Sequence, residues 1–240
     1  MIGVSCICPT FGRTNLLPEA VESFLRQDYE GDMELVIVND LPQQTIKCDA
    51  KNVRVINVRD RFPSLGQKRS FSYKQARMPL ILTWGDDDIH LPHRVQRAVK
   101  GLSCGKMALE GWHFCLYDKE LRYNKFSTTG AHIVDANFAS SVGYFSCLNT
   151  GEDADFNKRA EKLIGPLLSI AQPPAFIYRW YGTDRPHISA FHSNDGKRDA
   201  YKIVGDSIFS LIESGKEPSG EVEIIPHWKQ DYVTLANQHI

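Results

Sequence analysis

Short apolar runs alternate with stretches of helical periodicity between residue 2 and residue 84. Apolar runs of four to eight residues are typical of buried strands, whereas apolar residues three and four positions apart are typical of helices. We therefore predict strands at residues 2–9, 33–38, 53–58 and 80–84, and helices at residues 16–27 and 65–76. Strands that alternate with helices in this way indicate an α/β layer around a mostly parallel sheet.

The pattern is less regular in the second half of the chain. Helices are predicted at residues 94–102, 154–163 and 201–212, and short strands at residues 106–110, 114–117 and 175–180. Residues 119–129 are polar and are predicted to form a loop or a hairpin. Because no repeat or clear linker separates these stretches, we interpret the chain as a single domain with an appended C-terminal region.

Polar clusters follow four of the predicted strands. They lie at residues 10–13, 39–40, 59–61 and 86–88. Ligands of parallel α/β sheets bind beyond the carboxyl ends of the strands. One such cluster would mean little, but four at successive strand ends indicate one shared crevice. We therefore predict a nucleotide site at this edge of the sheet.

The most acidic of these clusters is the run Asp86-Asp87-Asp88, which directly follows the strand and Gly85. Adjacent carboxylates repel one another unless a cation lies between them. Mg²⁺ and Mn²⁺ prefer carboxylate oxygens and leave room for the phosphates of a nucleotide. A second interpretation is open, in which the run is a solvated turn that caps a helix starting near Pro92.

The composition excludes several classes of protein. The chain has 240 residues, of which 42% are hydrophobic and 24% are charged, as in ordinary soluble proteins. No apolar run approaches the roughly 20 residues that cross a bilayer, and the first residues carry no signal for secretion. The net charge of −1 gives no general attraction to nucleic acid or anionic membranes. The six cysteines form no C-x-x-C pair, so we expect reduced thiols in a cytoplasmic protein.

Four further residues are candidates for binding the nucleotide or a metal, each with a second interpretation. Asp40 ends a strand and can accept hydrogen bonds from a base or ribose, or it is a turn residue. Arg13 and Arg69 can bind phosphate in bidentate fashion, although surface arginines are common. His187 lies in a loop and can ligate a metal through a neutral ring nitrogen, or it is a surface histidine.

Glu152 and Asp153 lie at the start of a predicted helix. A carboxylate at this position is stabilised by the helix dipole, so plain capping explains the pair. The functional interpretation is a general base that takes a proton from an attacking hydroxyl.

In this order, the motifs resemble those of the inverting nucleotide-sugar glycosyltransferases of family 2, which have the GT-A fold. The resemblance covers about residues 2–190, and the segments that carry it are 8–13, 17–27, 34–40, 66–69, 86–92, 151–153 with Arg159, and His187. It implies a Rossmann-like, mostly parallel central sheet flanked by helices. It also implies a GT-A domain at residues 1–190, with a nucleotide-sugar half at about 1–90 and an acceptor half at about 91–190. Residues 191–240 are expected to be an extension packed on the same domain.

The resemblance also implies roles for individual residues. The residues that correspond to the donor site are Pro9, Thr10, Arg13, Asp40, Arg69 and Asp86. Asp87, Asp88 and His187 correspond to ligands of Mn²⁺ or Mg²⁺, and Asp153 to the general base, which Glu152 helps to position. The implied donor is a UDP-sugar or a similar nucleotide-sugar. The expected acceptor is a glycan or a lipid-linked glycan, with a protein or a hydroxylated base of nucleic acid left open.

The chain differs from the family pattern at two positions. Many members carry Asp where Gly85 stands and Asn where Ser70 stands. Two other functions also remain open. A nucleotidyltransferase of the same fold class would need a glycine-rich phosphate loop after the first strand, where this chain has only Gly12. A binding module without catalytic activity would bind the donor but neither transfer nor hydrolyse it.

Overall fold

A computed structural model describes residues 1–103, 105–117, 120–124, 130–170, 173–180 and 200–239 of the protein. The strands are β1 (Val4–Thr10), β2 (Met33–Asn39), β3 (Gln44–Lys47), β4 (Val53–Asn57), β5 (Leu80–Thr83), β6 (Ile89–His90), β7 (Met107–Glu110), β8 (His113–Tyr117), β9 (Glu120–Asn124), β10 (His132–Asp135), β11 (Leu168–Ile170), β12 (Phe176–Trp180) and β13 (Gly220–Glu223). The helices are α1 (Leu17–Leu25), α2 (Leu65–Tyr73), α3 (Arg94–Leu102), α4 (Ala136–Val142), α5 (Glu152–Ile164), α6 (Ala200–Glu213) and α7 (Tyr232–Asn237).

The central sheet has seven strands in the order β11-β7-β10-β5-β1-β2-β4. Strand β10 runs antiparallel to both of its neighbours, and the other pairings recorded in this sheet are parallel. The predicted α/β fold with a mostly parallel central sheet is therefore confirmed. The carboxyl ends of β1, β2, β4 and β5 lie side by side because these four strands are neighbours and parallel.

Helices cover both faces of this sheet. Successive side chains of a strand point to opposite faces, so Cys6 and Cys8 of β1 face one layer and Ile7 faces the other. The first layer contains α1 and α3, and the second contains α2, α4 and α5. Helix α1 buries Ala20, Phe24 and other residues at helical spacing, as its sequence pattern predicts.

A second sheet lies beside the central one and has the strand order β6-β12-β8-β9. Strands β8 and β9 form an antiparallel hairpin, which agrees with the hairpin expected in this region as far as it is described. Strand β6 follows the acidic run directly, so the run joins the two sheets.

The C-terminal residues return to the N-terminal half of the chain. Helix α6 packs through Val204 and Ile208 on Leu41 and Phe11. Strand β13 pairs in parallel with β3, and α7 packs on the second sheet. Among the described residues, no helix is both long enough and apolar enough to cross a bilayer.

Candidate active site

A cleft of about 590 Å³ opens at the carboxyl ends of the parallel strands and the start of α5. The residues that line it and that the sequence predicts as site residues are Pro9, Arg13, Asp40, Arg69, Asp86, Asp87, Asp88, Glu152 and Asp153. Thr10 is buried behind this lining, and its carbonyl oxygen accepts a hydrogen bond from Lys68 at 2.6 Å. His187 lies outside the described residues, so its role as a metal ligand remains a prediction.

The acidic run carries its own cation. The Nη1 atom of Arg13 lies 2.8 Å from Oδ1 of Asp86 and 2.7 Å from Oδ2 of Asp87. Both carboxylates are almost fully buried, with side-chain exposures of 5% and 8%. Burial by itself lowers the pKa of the Arg13 guanidinium, but the charges of Asp86 and Asp87 raise this pKa above its ordinary value. The repulsion expected within the acidic run is thus relieved by an arginine of the chain.

The carboxylate of Asp88 folds back over Gly85. A Cβ atom at position 85 would lie 2.4 Å from Oδ2 of Asp88, so a side chain there would require Asp88 to move. The backbone N–H of Arg179 donates to Oδ1 of Asp88 at 3.3 Å. Burial, together with the charge of Asp87, raises the pKa of Asp88 to about 7. The glycine that distinguishes this chain from many family members therefore makes room for the third acid of the run.

Arg179 connects the acidic run to α1 and to the C-terminal residues. Its Nε donates to the carbonyl oxygen of Asp87, and its Nη1 donates to Oε2 of Glu19 at 2.6 Å. Oε1 of Glu19 also accepts from the hydroxyl of Tyr232 at 2.7 Å and from the N–H of Lys229 at 3.1 Å. Burial by itself raises the pKa of Glu19, but Arg179 and these hydrogen bonds lower it below its ordinary value.

Arg179 and Glu19 were not predicted as site residues. The signal in the sequence that points to them is a charge inside an apolar pattern. Arg179 interrupts the apolar strand β12, and Glu19 lies between buried residues of α1. Charged side chains are almost never fully buried unless they are paired, so each of them required a partner.

Asp40 is paired with a lysine. The Nζ of Lys68 donates to Oδ1 of Asp40, and the backbone N–H of Phe62 donates to Oδ2 at 3.0 Å. Asp40 is fully buried, and Lys68 is 4% exposed. Lys68 reaches Asp40 because α2 begins at the cleft, where the side chain of Ser64 accepts from the N–H of Gln67 and caps the helix. Lys68 lies in the segment 66–69 that carries the family resemblance, but it was not predicted as a site residue.

Glu152 and Asp153 begin α5 and differ in exposure. The Nη1 of Arg69 lies 3.1 Å from Oε1 of Glu152 and 3.9 Å from Oδ2 of Asp153. The Glu152 side chain is 4% exposed, whereas that of Asp153 is 20% exposed. A Cβ atom at Gly130 would lie 3.1 Å from Oδ2 of Asp153, so the backbone there approaches the carboxylate closely. The arrangement leaves Asp153 as the more accessible acid of the pair.

Arg61, from the polar cluster at residues 59–61, lies between two aromatic rings in another part of the cleft. The guanidinium of Arg61 lies between the ring of Phe11, at 4.4 Å from its centroid, and the ring of Tyr201, at 3.8 Å. Its Nη2 donates to the carbonyl oxygen of Tyr201 at 2.6 Å. Because Tyr201 belongs to α6, the C-terminal region contributes to the cleft.

The acidic run has the chemistry that Mn²⁺ or Mg²⁺ requires. Its side chains offer carboxylate oxygens, the ligands that these hard cations prefer. Oδ2 of Asp86 is buried and has no hydrogen-bond partner among the described residues, as expected of an atom that binds a ligand. The described part of the chain holds no group of three such side chains already arranged around a cation position. The residues therefore fit a divalent cation, but Arg13 now contacts the oxygens of two of them.

The mostly parallel sheet, with acidic and basic side chains gathered at its carboxyl edge, defines a protein of the GT-A fold. The profile of glycosyl transferase family 2 matches residues 5–142, which is more than half of the chain. The chain therefore belongs to glycosyl transferase family 2, as the resemblance of its motifs predicted. No curated protein matches the chain.

Solved structures of S. aureus TarS share this fold. The structure of TarS 1–349 in complex with UDP-GlcNAc is 17% identical with a TM-score of 0.65, and the match covers 88% of this chain and 66% of that one. The complex of TarS 1–349 with UDP is 15% identical with a TM-score of 0.60, covering 88% and 72% of the two chains. The chain spans 40% of the longer TarS structure, at 16% identity and a TM-score of 0.61. At these identities the likeness establishes the fold.

Proposed function

We propose that the protein is an inverting, metal-dependent glycosyltransferase that moves a sugar from a UDP-sugar to an acceptor hydroxyl. The observation that carries this proposal is the meeting of two acidic groups in one cleft, the run at residues 86–88 and the pair at 152–153. Family membership supports glycosyl transfer, and the structures of TarS with UDP and UDP-GlcNAc favour a UDP-sugar.

In the proposed reaction, Asp153 accepts the proton of the acceptor hydroxyl as its oxygen attacks the anomeric carbon. The bond between that carbon and the diphosphate breaks at the same time, and the diphosphate leaves with the electron pair. Direct displacement from the opposite side inverts the configuration. Asp153 suits this role because it is partly exposed and lies at the start of α5, where it lines the cleft. Glu152, buried and paired with Arg69, holds the guanidinium beside Asp153.

The remaining site residues bind and orient the donor. A bound Mn²⁺ or Mg²⁺ would supply positive charge that stabilises the diphosphate leaving group, and Asp86, Asp87 and Asp88 would hold it. The proposed position of the base and ribose is the part of the cleft near Asp40, Lys68 and Phe11. The acceptor is proposed to be a glycan or a lipid-linked glycan, with a protein or a hydroxylated nucleic-acid base as the alternatives.

A thermal-shift panel tests the donor and the metal together. The protein is melted with UDP, GDP, CDP, ADP and UDP-sugars, each with Mn²⁺ and with EDTA. A ligand at about 100 times its Kd adds about 2.7 kcal/mol to the free energy of unfolding. We expect stabilisation by UDP or a UDP-sugar in the presence of Mn²⁺ and much less in EDTA. Absence of a shift with every nucleotide would contradict the proposal.

A further inference from the structure

We propose that Arg13 occupies the cation position between Asp86 and Asp87 in the donor-free protein, so that a divalent cation binds only by displacing it. This inference deepens the proposed function and rests on it, because it concerns the same acidic run. It assigns Arg13 a role in controlling metal binding, in addition to its predicted contact with the donor.

The guanidinium of Arg13 lies where a metal ion would bind. One atom, Nη1 of Arg13, lies within hydrogen-bond distance of Oδ1 of Asp86 and Oδ2 of Asp87. A magnesium ion that bound both oxygens would sit about 2.1 Å from each of them. That position overlaps the position of Nη1. Unless the carboxylates turn away from each other, the ion and the guanidinium cannot bind these two oxygens together.

Arg13 contacts only one of the two carboxylate oxygens of Asp86. Oδ2 of Asp86 is buried and has no hydrogen-bond partner among the described residues, although Asp86 is only 4% exposed. A carboxylate bound only by the chain's own arginine would normally satisfy both oxygens, as Asp40 does with Lys68 and Phe62. The uncovered oxygen indicates that the acidic run is shaped for a further ligand, whereas both carboxylate oxygens of Asp40 have partners within the chain.

The charge of Arg13 also opposes a metal ion. The guanidinium cancels one of the two charges of Asp86 and Asp87, so the attraction of this pair for a divalent cation is weakened while Arg13 stays in place. The guanidinium must therefore move away, and it must find another anion to avoid repulsion by the incoming ion. The side chain of Arg13 is 16% exposed and lines the cleft, so a diphosphate bound there is within its reach. A guanidinium matches the oxygens of a diphosphate in bidentate fashion.

The consequence is cooperative binding. The diphosphate draws Arg13 away from the carboxylates, and the vacated oxygens bind the metal. Each ligand should therefore increase the affinity of the other by the same factor, as linkage requires. Metal alone should bind weakly to the wild-type protein.

The test is a titration of Mn²⁺ into wild-type protein and into Arg13→Gln, each with and without UDP. Binding is measured from the electron paramagnetic resonance signal of free Mn²⁺. Arg54→Gln is the matched control, because Arg54 pairs with the carboxylate of Glu34 outside the cleft. In the absence of UDP, we expect Arg13→Gln to bind Mn²⁺ at least about tenfold more tightly than wild type, a coupling of ordinary size. We expect Arg54→Gln to behave as wild type, and UDP to tighten Mn²⁺ binding in wild type far more than in Arg13→Gln.

The inference is overturned if Arg13→Gln binds Mn²⁺ alone no more tightly than wild type. Circular dichroism establishes whether the variant is folded. If it is not, Arg13→Lys replaces it, since an ammonium group lacks the fork of the guanidinium and should compete less well with Mn²⁺. Unchanged Mn²⁺ affinity in Arg13→Lys then overturns the inference. Tighter Mn²⁺ binding in the variants without any effect of UDP would support the role of Arg13 and contradict the nucleotide-sugar function.

Discussion

The two groups of acids that line the cleft are built differently. The run at residues 86–88 is buried. Arg13 bridges two of its carboxylates, and Arg179 donates a hydrogen bond to its backbone. The pair at residues 152–153 begins a helix, and Asp153 is partly exposed, with Arg69 at 3.9 Å. A group of carboxylates binds a cation more tightly when its oxygens are fixed in position and shielded from water. A group that takes up and releases a proton needs access to the acceptor and to water.

The difference indicates how the two groups can have different tasks in one cleft, one binding a cation and the other transferring a proton. In the proposed reaction the acidic run keeps its negative charge and exchanges one cation for another, whereas Asp153 changes its protonation state in every cycle. The variants below separate these tasks. The largest expected effects, those on activity, come first, and the effects on stability follow.

The largest effect is expected from Asp153→Asn. The variant cannot accept the proton of the acceptor, and removal of a general base typically lowers kcat by about 10²–10⁴-fold. Donor binding in the thermal-shift assay should be unchanged. Asp155→Asn is the matched control, an acid in the same first turn of α5 that pairs with Arg159. Equal losses in the two variants would contradict the assignment of Asp153 as the base.

Asp87→Asn should lower turnover by about 10²–10³-fold, the usual result of removing one electrostatic contact to a leaving group. In contrast to Asp153→Asn, this variant should also lose Mn²⁺ binding, as measured by calorimetry in the presence of UDP. Asp28→Asn, a change of the same kind at an exposed position, is the control. Full activity of Asp87→Asn in EDTA would argue against metal dependence.

The arginines behind the two acidic groups should differ in their effect on stability. Arg179→Ala removes a buried partner of Glu19 and the contact to Asp87, and breaking a buried ion pair costs about 3 kcal/mol or more. Arg69→Ala removes a partly exposed pair, and such pairs contribute about 1 kcal/mol or less. Chemical denaturation of both variants measures the difference. A larger loss in Arg69→Ala would mean that the pair at α5 is the more firmly held group.

The last effect is a pH dependence of the free energy of unfolding, measured in EDTA. Burial, with the charge of Asp87, raises the pKa of Asp88 from its ordinary 3.8 to about 7 in the folded protein. Between these values the folded protein holds a proton that the unfolded chain has released. The contribution of Asp88 to the free energy of unfolding therefore falls as the pH rises through this interval, and it is constant above and below it.

Asp88→Asn removes this contribution. The free energy of unfolding of Asp88→Asn, relative to wild type, should increase as the pH rises from about 4 to about 7. Asp28→Asn, which removes a charge from the surface, serves as the control for net charge. A constant difference between Asp88→Asn and wild type across this interval would contradict the raised pKa of Asp88.

Strands β1, β2 and β5 were predictable because they are buried on both faces and read as continuous apolar runs. Strands β1, β2, β4 and β5 lie within one or two residues of their predicted ends, and α3 has the predicted bounds. The position of the acids followed from the same rule, since parallel neighbours bring their carboxyl ends to one edge. Small shifts at the ends of elements are ordinary.

Other elements could not be predicted, because they depend on distant partners. Strands β3 and β13 have only four residues each and pair with each other, although they lie far apart in the sequence. Strand β10 and helix α4 were not predicted, because each is short; Asp135 caps the helix and Gly143 ends it at φ 87°. The pairing of Glu19 with Arg179 likewise depends on the topology, since the two residues are 160 positions apart.

The partners of Glu19 have a consequence for the synthesis of the protein. Its carboxylate is bound by Arg179 and by Tyr232, and Tyr232 lies 213 residues further along the chain. A ribosome that adds about 5–20 residues per second takes roughly 10–40 s to cover this distance. During that time the first strands and helices can pack, but the support beneath the acidic run is incomplete. Tyr232 therefore completes, late in synthesis, a structure that begins at the first helix.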